Sequence, residues 1–187
     1  MSDKKVLTIL LGSPRAQGNS EQLADSLAKG AEEAGYEVRK VRLAPLTLKG
    51  CVDCRKCWST GAPCVQNDDM DKVYPDMEAA DVLAFVSPVY FYSWSSQIKP
   101  VWDRMLPYFM QDGPKTFRGK KAVLLSVAGD NDDSCFESIK SSFKGCCNYA
   151  DWSIAGIICA PAMYPKTDMA DKGRKFLFEA YDLGKNL

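Results

Sequence analysis

The chain has 187 residues, and its 24 Lys and Arg balance 24 Asp and Glu, so the formal charge is zero. That balance offers nucleic acid or an anionic membrane no electrostatic footing, and 46% hydrophobic with 26% charged residues is ordinary for a soluble globular domain. There is no histidine, which excludes His-based triads, His metal ligands and the usual neutral-pH proton shuttle.

In chain order, Val6–Leu11 is a short apolar run that reads as a strand buried on both faces. The lysines before it imitate the start of a secretory signal. The run is too short for one, and "GSPR" stands where a cleavage site belongs. A cytoplasmic home, where thiols stay reduced, is therefore expected. "NSEQLADSLAKGAEEAG" sets Leu23, Leu27, Ala31 and Ala34 at helical spacing, with Gly35 as the stop. "YEVRKVRL" alternates, as a strand nearer a sheet edge does. Past a cysteine-rich loop at residues 50–66, "DDMDKVYPDMEAA" reads as a helix interrupted at Pro75.

"DVLAFVSP" is a third strand and "SSQIKPVWDRMLPYF" a helix; "KKAVLLSVAGD" is a fourth strand, followed by a helix around Ser134–Phe143. "WSIAGIICAP" is a fifth strand and "DMADKGRKFLFEAYDLGKNL" a closing helix. No stretch reaches transmembrane length. The alternation predicts an α/β fold, a doubly wound five-stranded parallel sheet in one domain over residues 1–187. In such sheets ligands sit beyond the carboxyl ends of the strands, where strand order reverses.

The loop after strand one, "GSPRAQGNS", ends at a helix N-terminus, whose free N–H groups suit an anion. Gly12 and Gly18 permit close backbone approach, Ser13, Asn19 and Ser20 bring short polar side chains, and Arg15 can grip a phosphate in two places. The bland alternative is a plain turn with Asn19 or Ser20 as helix cap. The loop after strand three carries Tyr90, Phe91, Tyr92 and Trp94 behind Ser87-Pro88-Val89. Four large aromatics on an exposed loop are costly unless they cover a flat ligand, make a dimer contact or form a local lid.

Together "GSPRAQGNS", "SPVYFYSW" and "QIKPVWDR" resemble the flavodoxin-like NAD(P)H-dependent FMN reductases over roughly residues 5–160. The resemblance implies that Ser13, Arg15, Asn19 and Ser20, with Gly18, hold the FMN phosphate. It also implies that Pro88, Val89, Tyr90 and Phe91 border the isoalloxazine, while Ala128, Gly129 and Asp130 close the far side. No side chain is obliged to act as acid or base. Asp103 and Arg104 fall on a structural or dimer-facing helix, and Trp58 in a core or interface.

Cys51, Cys54, Cys57 and Cys64 are spaced C-x2-C-x2-C-x6-C. Three thiols at intervals of three can wrap a four-iron cluster, with Gly61 and Pro63 folding the fourth back. Zinc prefers two separated pairs or a Cys/His mixture. Lys49, Arg55 and Lys56 can offset the charge of such a cage. A redox-active thiol pair or unligated packing thiols stay open as alternatives, and Cys135, Cys159, Cys146 and Cys147 read as packing residues. Within the family the motif is similar to that of the iron–sulfur flavoproteins, which carry FMN and a [4Fe–4S] cluster and work as dimers or tetramers. The implied function is an FMN oxidoreductase, with NAD(P)H as donor and a small molecule or protein as acceptor. A non-enzymatic electron carrier, or a plain reductase without a cluster, is the alternative.

Overall fold

Five parallel strands in the order β2-β1-β3-β4-β5 form a single sheet in the computed structural model, which describes residues 4–110 and 117–187. They are β1 (Val6–Leu11), β2 (Glu37–Arg42), β3 (Val82–Pro88), β4 (Lys121–Val127) and β5 (Ser153–Ala160). The fold class is thus the flavodoxin-like α/β sheet. Strand order reverses between β1 and β3, which pair in register from Leu7↔Val82 to Leu11↔Val86. Both central strands are buried along their length, as their unbroken apolar runs require. The alternating strand β2 lies at an edge and stays partly exposed.

Period-2 geometry divides the apolar residues between two cores. Leu7, Ile9 and Leu11 pack with Leu23, Leu27 and Ala31 of α1 (Asn19–Glu33) and with Phe176 and Ala180 of α7 (Arg174–Lys185). Helix α2 (Cys57–Thr60) is a single turn in the cysteine-rich loop. Leu10, Leu83, Phe85 and Leu124 face the other side, against α3 (Tyr74–Ala79), α4 (Lys99–Asp103) and α5 (Glu137–Ala150). Helix α1 stops as expected, with Gly35 at φ +91° donating back to Glu32 O.

Three expected helices are shorter than their apolar patterns. Pro75 sits in the first turn of α3, where its missing N–H costs nothing, and the preceding turn at Asp69–Lys72 is a separate 3-10 segment. Pro107 cannot donate into a continuing helix, so α4 ends at Asp103 and a 3-10 turn, Leu106–Phe109, follows. The closing helix splits into α6 (Asp168–Asp171) and α7, separated by Gly173, where a Cβ would stand 2.5 Å from the Met169 sulfur. Among the described residues no helix is long and apolar enough to cross a membrane.

Candidate functional site

Four loops at the carboxyl ends of the strands enclose a cleft of about 460 Å³. The β1–α1 loop contributes Ser13, Arg15, Gly18, Asn19 and Ser20; the β3–α4 loop contributes Pro88, Val89 and Tyr90; the β4–α5 loop contributes Gly129 and Asp130. Phe91 and Ala128 line an adjoining recess of about 160 Å³ that shares Val89, Gly129 and Asp130 with the cleft. Every residue expected around the flavin therefore falls in one of two adjoining hollows.

The fourth wall comes from the loop between β5 and α6, through Met163, Tyr164 and Lys166. Its signal is "PAMYPK", an aromatic between two prolines straight after a strand, the same kind of punctuation that marks the β3–α4 loop. Arg15 Nη1 donates to Tyr164 O at 3.4 Å, and Lys166 adds a second cation to the lining. The N-terminal end of α1 has Gly18 as its cap and no side chain bonded across it, so an anion meets free N–H groups there.

Asn19 is placed at the cleft but its amide is occupied. Its Nδ2 donates to Met163 O at 3.1 Å and Pro165 O at 2.8 Å, and its Oδ1 accepts from Met169 N at 3.0 Å. It thus fixes the fourth wall against α1. Ser13 Oγ accepts the Arg15 amide at 3.3 Å. Buried serines lock the other walls. Ser126 Oγ donates to Ser87 O at 2.9 Å, Ser87 Oγ accepts from Ser95 N at 3.1 Å, and Ser95 Oγ donates to Gly12 O at 2.6 Å. The end of β3 and the loop after it are thereby tied to β4 and to the loop after β1.

The aromatic loop is a two-residue hairpin, with Tyr90 and Ser93 paired through both backbone bonds. Phe91 and Tyr92 occupy its corner at φ +47° and +62°, a left-handed region that costs non-glycine residues about 1–2 kcal/mol each. Phe91 is 100% exposed. Trp94 differs from its neighbours: it turns into the core and donates from Nε1 to Ser142 Oγ at 3.0 Å.

The four spaced thiols line a second, smaller pocket with Val52, Trp58, Leu106 and Arg104. Asp53 and Arg55 adopt left-handed φ values of +47° and +56°, which coil the loop between Cys51 and Cys57. Asp53 N donates to Cys51 Sγ at 3.4 Å. Burial, then the nearby thiols of Cys64, Cys54 and Cys51, push the Cys57 thiol up. Among the described residues no three His, Cys, Asp or Glu side chains converge tightly enough for a single metal ion. The hollow that the four thiols line is about 30 Å³. The thiol pocket and the cleft share no lining residue.

Arg104 closes the base of this loop. It is 1% exposed, not surface-facing. Nη1 donates to Asp68 Oδ2 at 2.6 Å and Lys49 O at 3.1 Å, and Nη2 donates to Gln66 O at 3.1 Å. Asp68 in turn accepts from Lys49 N and Met70 N. Both ends of the cysteine segment are thus tied to one buried ion pair. Burial works against the Asp68 carboxylate, but the guanidinium and the two amides outweigh it and hold its pKa below the usual range. Nothing local marks this pair in the sequence. Trp58, at the other face, is 57% exposed, with the Arg55 guanidinium 5.4 Å from its ring.

Comparison with known proteins places these features in context. A family model described as NADPH-dependent FMN reductase matches residues 5–135. An iron-sulfur flavoprotein of Archaeoglobus fulgidus is 40% identical over 124 residues, covering 66% of this chain and 56% of that one. An iron-sulfur flavoprotein of Methanosarcina thermophila is 30% identical over 135 residues, covering 72% and 69% respectively. The match therefore spans little more than half of the Archaeoglobus protein. Among solved structures, an NAD(P)H:quinone oxidoreductase from Methanothermobacter marburgensis superposes with a TM-score of 0.78 at 20% identity, over 98% of this chain and 96% of that one, which is a likeness of fold.

Proposed function

This chain belongs to the NADPH-dependent FMN reductase family, and we propose that it is an FMN-dependent oxidoreductase drawing electrons from NADH or NADPH. The observation that carries this reading is the cleft at the reversal of strand order, with an uncapped helix end and Arg15 at one side and Pro88, Val89 and Tyr90 at the other. An elongated molecule with an anionic tail and a flat ring fits that division. Arg15 and the α1 amides would hold the phosphate, and Ser13 and Ser20 would fill its remaining acceptor directions. Val89, Tyr90 and Gly129 would flank the ring, with Ser95 holding the β3–α4 loop against Ser87 and Gly12. Bound FMN supplies the exchange between two-electron and one-electron chemistry that the residues themselves lack.

Two outcomes test the reading. Anaerobic NADH or NADPH is expected to bleach the yellow absorbance of the FMN-loaded protein. If neither nicotinamide does so while dithionite does, the chain is an electron carrier and not a reductase. Arg15→Ala is expected to weaken FMN by about 2 kcal/mol, roughly 30-fold, because a charge-assisted bond to the phosphate is lost. Riboflavin, which lacks that phosphate, should bind the variant almost unchanged. Equal losses for both would move the phosphate elsewhere.

The thiol pocket is read as a [4Fe–4S] site held by Cys51, Cys54, Cys57 and Cys64. The donor set, the coiled loop and the names of the relatives support it. All eight cysteines are free, in keeping with a reducing, cytosolic compartment. The hairpin bearing Phe91 and Tyr92 supports a homodimer or homotetramer that covers it. The apolar side of α4 adds little, since Val101 and Met105 pack inward and Leu106 alone of that stretch is 40% exposed.

A further inference from the structure

Two neighbouring buried polar atoms beneath the thiol pocket have no partner elsewhere among the described residues. Tyr74 is 3% exposed and Arg104 1%. Among the described residues Tyr74 Oη and Arg104 Nε bond to no other residue, while Nη1 and Nη2 of the same guanidinium tie Lys49, Gln66 and Asp68. The two groups are neighbours, with the Arg104 guanidinium carbon 5.9 Å from the Tyr74 ring centroid. Arg104 lines the thiol pocket, and Cys64 packs against the core cluster that contains Tyr74. Buried polar groups almost always find a partner. Tyr74 Oη can itself accept from Arg104 Nε, so it is the phenol proton that calls for an acceptor the protein does not supply.

Resting on the reading of the thiol pocket as a cluster site, we propose that Tyr74, oriented by Arg104, is a positioning residue that donates a hydrogen bond to the sulfur-rich group held by the four cysteines. The group would carry net negative charge spread over sulfur, a soft acceptor that a phenol O–H suits. Burial pushes the Tyr74 phenol well above its usual range, so it stays a neutral O–H donor. Hydrogen bonds to sulfur stabilise the more reduced, more negative state and so raise the reduction potential. Arg104 has a second task in the same site, since its bonds to Lys49 O and Gln66 O hold the loop's two ends at fixed separation.

Tyr74→Phe isolates the donor function, because it removes the unpartnered phenol proton and keeps the ring. In the iron-free protein the variant should be nearly as stable as the parent, since that proton has no partner there to lose. In the anaerobically reconstituted full chain it should lose iron to a chelator about 10-fold faster, the low end of the 10–100-fold range for outer partners of metal ligands. Its cluster potential should fall. Arg104→Lys, which keeps the charge but not the fork, should in addition speed hydrogen exchange across residues 49–66 of the iron-free protein. Unchanged iron release and potential in Tyr74→Phe would overturn the proposal. So would a clear loss of iron-free stability, which would reveal a partner such as a buried water already bonded to the phenol. A parent protein that takes up no iron sinks the cluster reading itself, and the donor assignment with it.

Discussion

Serine at any one of Cys51, Cys54, Cys57 or Cys64 is expected to abolish stable cluster binding while leaving the yellow FMN spectrum and nicotinamide oxidation largely in place. A hydroxyl is a far weaker ligand for iron than a thiolate, and a four-cornered cage that loses a corner exposes iron to solvent. The separation of effects follows from geometry, because the thiol pocket and the flavin cleft have no lining residue in common. Cys135→Ser and Cys159→Ser are the controls. Burial pushes both thiols up, Cys159 to about 11, so they stay protonated and inert. Their loss should cost some stability and no iron. Iron and acid-labile sulfide analysis of anaerobically prepared protein, with titration of bound FMN, reads all six variants. An iron content unaffected by all four loop substitutions would leave these thiols as packing residues and the chain as a plain FMN reductase.

Gly30→Ala should cost the fold about 3 kcal/mol or more, at the upper end of what overpacking does. A Cβ at Gly30 would stand 2.0 Å from Tyr181 O and 3.0 Å from Lys185 N, and across the same contact a Cβ at Gly184 would stand 2.2 Å from Leu27 O. Helices α1 and α7 thus meet backbone to backbone, and no rotamer change can relieve the clash. The loss is a large fraction of the roughly 5–15 kcal/mol that holds a domain of this kind together. Gly145→Ala makes the same chemical change in α5, where nothing lies within 4 Å of the added atom. There it should stabilise by up to about 1 kcal/mol, through helix propensity alone. Urea unfolding midpoints for the pair should move in opposite directions. A small cost at Gly30 would mean that the two helices part easily.

Contiguous residues carried much of the fold and the cleft. The unbroken run of β1, the alternation of β2 and the 3.6-residue spacing of α1 are properties of neighbours in the chain, so strand and helix order could be read directly. Once five strands alternate with helices, the rule for parallel sheets points to the loops after β1, β3 and β4. The expected residues Ser13, Arg15, Gly18, Asn19 and Ser20, Pro88 to Phe91 and Ala128 to Asp130 do line the two hollows there.

Residues far apart in the chain decided the rest. The sequence by itself determined the strand pattern, the anion-suited loop and the spacing of four thiols, because each depends on residues a few positions apart. Only the tertiary structure decided that Asn19 spends its amide on Met163, Pro165 and Met169. It alone turned Trp94 inward while leaving Phe91 bare, and put Arg104 under the cysteine loop with Asp68 and Tyr74. The pairing of Gly30 with Gly184 is of the same kind, since a glycine's packing partner leaves no trace in its neighbours. Such contacts depend on which strand ends lie side by side and how closely helices cross, and those distances exist only once the sheet has closed around its two cores.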